Sequence, residues 1–98
     1  VYTEKRIYVS EASAVLHEFG HFLDCAMGFP QEHKDLYALE AASAPMKQHA
    51  KSNSLEYFAE FFAYWLSGST RTLAQLKELT PETYVYFESL EITHWFSA

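Results

Sequence analysis

The feature that most constrains this chain is a pair of histidines, His17 and His21, with Glu18 directly after the first. Residues four apart lie on one face of an α-helix, about one turn from each other, so a helix would bring the two imidazoles together. Two imidazoles in this arrangement can bind one Zn2+ ion, with the Glu18 carboxylate close beside them. The H-E-x-x-H pattern therefore predicts a zinc-binding helix. The alternative is that both histidines are ordinary helix residues.

The sequence around the motif favours a helix on independent grounds. Ser10 is a suitable N-cap for a helix over residues 11–27, and Gly28 is typical of the position just after a helix. This segment is apolar on nearly all sides, which predicts a central helix. Cys25 is predicted to be a small core residue of the same helix.

Bound zinc lowers the pKa of a coordinated water, and a neighbouring carboxylate can then accept the proton as the water attacks a carbonyl. Glu18 is predicted to be that general base. The motif thus points to metal-assisted hydrolysis.

A catalytic zinc ion has three protein ligands and one open position. Glu56 and Glu60 lie four apart on another predicted helix, whose opposite face is aromatic. Glu56 is therefore predicted to be the third ligand. Glu60 is predicted to accept a hydrogen bond from the nitrogen of His17 or His21 that does not face the metal. The alternatives are that Glu56 closes a capping box with Asn53, and that Glu60 is an exposed helix charge.

The remaining elements are predicted to be mainly helical. Leu36 and Leu39 are expected to face inward from the second helix. Alternation over residues 5–9 predicts a short edge strand. The fold class is therefore mainly α, α+β overall, within one domain over residues 1–98. Besides the first helix, we expect helices at 31–42, 54–66, 72–79 and 81–90, the last with Thr80 as its N-cap.

Composition excludes several functions. Seven basic residues against thirteen acidic ones give a formal charge of −6, which disfavours a nucleic-acid partner. No apolar run approaches the length of a membrane span. The single cysteine allows no intramolecular disulfide. Trp95 and Phe96 near the end of the chain are expected to pack on the domain or to contact a partner.

The two ligand segments resemble those of a known family. LHEFGHFLD at residues 16–24 and EYFAEFFAY at residues 56–64 are similar to the active-site and glutamate helices of metallopeptidases of the anthrax lethal factor type, and of the Pro-Pro endopeptidases of clostridia. The likeness continues through LKELTPETYVYF at residues 76–87.

This resemblance implies a zincin core of the gluzincin type, with His17, His21 and Glu56 as zinc ligands and Glu18 as general base. It also implies a bacterial, usually secreted, endopeptidase acting on a peptide or protein, although this chain has no signal peptide. In that family a sheet lies beside the active-site helix and its edge strand pairs with the substrate. We expect either a minimal version or a fragment that lacks the upstream strands.

Members of that family carry a tyrosine seven residues before the glutamate ligand, where it can donate to the oxyanion. His49 occupies this position and is predicted to substitute for it, or else to be a loop histidine in water. Tyr37 is a weaker candidate donor. Asp24 is expected to support a ligand by hydrogen bonding or to contact the His49 loop, or else to form a plain salt bridge or a helix hydrogen bond. His33 and His94 are predicted to be surface residues.

Two functional hypotheses follow. The first is a zinc-dependent endopeptidase that hydrolyses peptide bonds with metal-activated water. The second is a catalytically inactive zinc-binding or protein-interaction module on the same fold.

Overall fold

The computed structural model describes residues 4–91, with side chains from residue 14 onwards. This part of the chain is mainly helical, as predicted. Two short 3-10 helices, Ala41–Ser43 and Gln48–Lys51, follow the second α-helix. The α-helices are α1 (Glu4–Ala26), α2 (Gln31–Glu40), α3 (Ser54–Ser67), α4 (Thr70–Leu79) and α5 (Pro81–Leu90).

The helix α3 is the centre of the core and contacts α1, α2 and α4. Apolar side chains cover most of its circumference, so it can be buried on several sides at once. Its buried residues are Tyr57, Phe58, Ala59, Phe61, Phe62 and Ala63. The prediction that α1 is the central helix is wrong, because Val15 and Phe22 on α1 are 62% and 66% exposed.

The edge strand predicted at residues 5–9 is also wrong, since these residues belong to α1. A strand needs a partner for its backbone hydrogen bonds, and residues 4–91 contain no strand that could pair with it. Extending an existing helix by a turn costs little, whereas five alternating residues are too few to fix a strand. Ser10 consequently lies inside α1 rather than at its N-cap.

Two predictions of burial fail on helix surfaces. Cys25 is exposed rather than in the core. Leu39 is 66% exposed, although it was expected to face inward. On α2 the buried positions are instead His33 and Glu40, which lie seven residues apart on one face.

The ends of the helices are capped by local and by distant groups. Asn53 caps α3 by accepting a hydrogen bond from the backbone N–H of Glu56 at 2.9 Å. The N-terminus of α5 is capped by the carboxylate of Glu40, which accepts from the N–H groups of Glu82 at 2.9 Å and Thr83 at 2.7 Å. Thr80 is the N-cap residue of α5, as predicted, but its side chain makes no capping bond, because its hydroxyl donates to the Leu76 carbonyl.

None of the helices within residues 4–91 is long and apolar enough to cross a lipid bilayer. His94, Trp95 and Phe96 lie outside the described residues, so the predictions made for them stay predictions.

The helices α1 and α3 approach each other most closely at Gly20. A Cβ atom added to Gly20 would lie 2.7 Å from Cα and 3.0 Å from the carbonyl oxygen of Ala59. Both distances are to backbone atoms, which cannot rotate away as a side chain could. The absence of a side chain at Gly20 therefore sets the spacing of the two helices.

We expect Gly20→Ala to lower the free energy of unfolding by about 1–2 kcal/mol. Alanine would normally stabilise a helix by about 1 kcal/mol relative to glycine, but forcing a methyl group against the α3 backbone costs about 1–3 kcal/mol, and we expect the upper end here. Urea unfolding followed by circular dichroism measures the difference. An unchanged or higher midpoint would contradict the close approach of α1 and α3.

Candidate metal centre

The centre lies where α1 and α3 face each other. The chain directions are opposed, because His17 on α1 contacts Glu60 on α3, while His21, one turn later, contacts Glu56, one turn earlier. The close approach at Gly20 lies between these two pairs on α1. The helix spacing thus places two imidazoles and two carboxylates within reach of each other.

Three donor groups converge at one point. Nε2 of His17 lies 3.0 Å from Oε1 of Glu56, and Nε2 of His21 lies 3.0 Å from Oε2 of the same carboxylate. The two Nε2 atoms are 3.1 Å apart. One donor atom from each of these three residues can be chosen so that all lie within 4.8 Å of one another. The group could therefore hold a metal ion.

The chemistry of the donors fits a cation. Glu60 accepts a hydrogen bond from Nδ1 of His17 at 2.9 Å, so in the neutral ring Nε2 of His17 carries a lone pair. That lone pair faces an oxygen of Glu56 and the Nε2 of His21, so either a proton or a cation shared by these atoms would make the contacts attractive. Two nitrogen ligands of a tetrahedral zinc ion lie about 3.3 Å apart, close to the spacing seen here.

The electrostatics of the centre favour positive charge on its imidazoles and negative charge on its carboxylates. Burial alone would lower the pKa of His17, but its hydrogen bonds with Glu60 and Glu56 and the charges of these carboxylates raise that pKa above its usual value. Burial alone would raise the pKa of Glu56, but its hydrogen bond with His17 and the nearby histidine charges lower it. Both shifts have one cause, the mutual attraction of the imidazoles and the carboxylates, which stabilises the protonated form of His17 and the ionised form of Glu56.

The capping-box alternative for Glu56 is not what the structure shows. Its backbone N–H donates to the side chain of Asn53, so the first half of the box is present. Its carboxylate, however, points to the two imidazoles of α1 rather than back to the cap. Glu56 thus places its backbone in the helix cap and its side chain in the centre.

His49 also reaches the centre. It lies in the second 3-10 helix, where its Nε2 is 3.2 Å from Oε1 of Glu56 and its side chain is 79% exposed. The turn that carries it is held by Tyr37, whose hydroxyl donates to the carbonyl of Lys51 at 2.6 Å, and by Ser52, which donates to the His49 carbonyl. Tyr37 therefore supports this turn, and its donor hydrogen is already used.

Glu18 is exposed on α1, directly beside His17. Among the residues that the structure describes, its carboxylate has neither a hydrogen-bond partner nor an ion-pair partner. A carboxylate next to a metal ligand and without a competing partner can accept a proton from water.

Asp24 is not brought to the centre. It is 1% exposed, and its Oδ1 lies 2.7 Å from Nδ1 of His33. A buried carboxylate needs a partner, and His33 supplies one from the start of α2. Of the roles considered for Asp24, the structure therefore shows the salt-bridge geometry. The prediction that His33 is a surface residue is wrong, because it is 3% exposed.

The chain Asp24–His33–Tyr86 links α1, α2 and α5. Nε2 of His33 lies 2.8 Å from the hydroxyl of Tyr86, and its ring stacks on Phe58 with centroids 4.0 Å apart. Burial, together with the charges of Glu32 and Asp24, raises the pKa of Tyr86 to about 12, so this hydroxyl stays protonated and can donate. The sequence signal that could have located His33 is its helical spacing from Leu36, Tyr37 and Glu40.

Comparison with known proteins gives one match. The family model described as anthrax toxin lethal factor, N- and C-terminal domain, matches residues 2–90. No curated protein and no solved structure matches the chain. The family match therefore covers the whole centre, including α1, α3 and the His49 turn.

We expect Tyr86→Phe to lower the free energy of unfolding by about 1–2 kcal/mol, because it leaves a buried nitrogen of His33 without its hydrogen bond. Tyr84→Phe is the matched control on the same helix. The ring of Tyr84 packs on Trp65, and its hydroxyl makes no hydrogen bond within residues 14–91. The control should change stability by less than about 0.5 kcal/mol. Equal effects of the two substitutions in urea unfolding would argue against the buried network.

Proposed function

The chain belongs to the anthrax toxin lethal factor family, and from this premise we propose that it is a zinc-dependent endopeptidase. In this proposal His17, His21 and Glu56 hold the zinc ion and Glu18 is the general base. The observation that carries the proposal is the convergence of two imidazole nitrogens and one carboxylate. Directly after His17 in the chain stands Glu18, whose carboxylate has no other partner among the described residues.

Each side chain would have a defined part in peptide hydrolysis. Zinc, when bound, would supply a Lewis acid that polarises the peptide carbonyl and lowers the pKa of water. Glu18 would take a proton from the attacking water and later give it to the leaving amine. Glu60 would fix the tautomer of His17 by accepting its Nδ1 proton.

His49 is the proposed donor to the oxyanion. Its exposed Nε2 lies at the edge of the centre, beside Glu56, and an N–H there can donate to an oxygen on which negative charge develops. Because the ring is 79% exposed, it can turn from Glu56 to a bound peptide without disturbing the core.

A second candidate is a zinc-binding interaction module without catalysis. Two features favour it: histidine stands where the resembling metallopeptidases have tyrosine, and α1 exposes large apolar side chains. Val15 and Phe22, seven residues apart and so on the same face of α1, are 62% and 66% exposed. Such a surface suits a protein partner.

We expect close to one zinc ion per chain after dialysis, measured by elemental analysis. Glu56→Ala should bind zinc much more weakly, because it removes one of three ligands. Glu60→Gln should weaken binding about 10–100-fold through the orientation of His17. Glu88→Ala, an exposed glutamate of α5, is the matched control and should keep its zinc. Equal zinc retention in Glu56→Ala and wild type would place the third ligand elsewhere.

We expect Glu18→Gln to lose cleavage of a quenched fluorescent peptide library by about 100-fold or more while its zinc content stays unchanged. The loss follows from removing the proton acceptor without touching a ligand. Undiminished cleavage by this variant would refute the mechanism. Binding of a partner protein by a zinc-loaded wild type that cleaves no peptide would favour the second candidate.

A further inference from the structure

A groove lies at the start of α3, the helix that carries Glu56. It has a volume of about 490 Å3 and is lined by Phe29, Lys34, Asn53, Ser54 and Leu55. This volume falls within the usual range for ligand pockets. Leu55 directly precedes the ligand Glu56, and consecutive Cα atoms are about 3.8 Å apart. The groove and Glu56 thus belong to the same first turn of α3.

The two apolar walls of the groove are exposed aromatic and aliphatic side chains. Phe29 is 45% exposed and Leu55 is 39% exposed. Large side chains of this kind gain free energy when they are removed from water, and within this groove they face an open volume instead. The groove therefore suits a large apolar side chain as its occupant.

Phe29 has an unfavourable backbone conformation. Its φ of 50° lies in the left-handed region, which is rare for bulky residues. The conformation is held by its N–H, which donates to the carbonyl of Asp24 at 3.0 Å, and by Gly28, whose φ is 81°. Residues with a strained backbone are frequent at binding sites, because the strained conformation places the side chain where a ligand can contact it.

Lys34 gives the groove a positive charge. Within the described residues its ammonium group makes no ion pair. The chain as a whole carries a formal charge of −6, so a positively charged groove is a local exception. Charge complementarity therefore favours an occupant with a carboxylate next to its apolar side chain.

We propose that this groove is the substrate subsite of the peptidase, and that it takes a large apolar residue flanked by an acidic residue. The inference rests on the proposed function for its connection to catalysis. In this groove a peptide would be recognised by side chains, because none of the five lining residues belongs to a strand whose edge could pair with it.

Peptide binding can be measured without cleavage in the zinc-loaded Glu18→Gln chain. The probes are fluorescein-labelled peptides of alanine, serine and glycine that contain Phe-Glu, Glu-Phe, Phe-Lys, Lys-Phe or Ala-Glu, and the readout is fluorescence anisotropy. We expect at least one of the two Phe/Glu peptides to bind at least 10-fold more tightly than the Ala-Glu peptide. Equal affinities for all peptides, or no binding, would overturn the proposal.

Phe29→Asn separates a binding role from a structural one, because asparagine tolerates the left-handed conformation. Added to the Glu18→Gln chain, it should weaken binding of the preferred peptide at least 10-fold while the melting temperature stays the same or rises. Leu39→Asn, an exposed leucine of α2 outside the groove, is the control and should change neither. Binding that both substitutions leave unchanged would refute the subsite.

A charge exchange tests Lys34. Lys34→Glu should weaken binding of the preferred Phe/Glu peptide and strengthen binding of its Phe/Lys counterpart, whereas a merely structural lysine would affect both peptides alike.

If a second copy of this chain covers the groove instead, Phe29→Asn would convert a dimer to a monomer in analytical ultracentrifugation without a change in peptide affinity, which also overturns the proposal. If the wild-type chain cleaves no peptide while peptide binding still depends on Phe29, the proposed peptidase function would be refuted and the groove would stand as a peptide-binding site.

Discussion

The close approach of α1 and α3 at Gly20 is the constraint on which the metal centre depends. An imidazole and a carboxylate are short groups, and they can meet between two helices only where the backbones are near each other. At Gly20 an added Cβ would collide with the backbone of Ala59, so no other residue type permits the same spacing. The contacts of His17 with Glu56 and Glu60 follow from this single position.

Buried polar groups with distant partners hold the other helices in place. The Glu40 carboxylate, 6% exposed, satisfies two N–H groups at the start of α5 and the hydroxyl of Thr83. A negative charge at a helix N-terminus is favourable because it opposes the helix dipole. Asp24 is less well satisfied, since its Oδ2 is buried without a hydrogen-bond partner in the described part of the chain. The hydrogen bonds of Glu40 therefore hold α5 in place, whereas the unsatisfied oxygen of Asp24 lowers the stability of the fold.

Local signals explain what the sequence could predict. The helices α2 to α5 begin and end within about two residues of their predicted limits, because caps and prolines act on their immediate neighbours. The carboxylates of Glu56 and Glu60 could be assigned to the centre since helical spacing puts both on one face. The role of Glu40 could not, because its partners lie 42 and 43 residues away and no local pattern connects them. The prediction of a strand at residues 5–9 was wrong because an alternation of polar and apolar residues forms a strand only with a partner strand, and residues 4–91 contain none.

The buried network of Asp24, His33 and Tyr86 also supports the helices that carry the centre. The ring of His33 stacks on Phe58, and Phe58 lies between Glu56 and Glu60 in the chain, with its side chain in the core. Asp24 ties His33 to α1 only three residues after His21. The same set of contacts therefore holds α1 and α3 together, so that the donor atoms of His17, His21 and Glu56 are positioned by the fold itself. A group of donors supported in this way would lose little conformational entropy on binding a metal, which would favour tight and geometrically selective coordination.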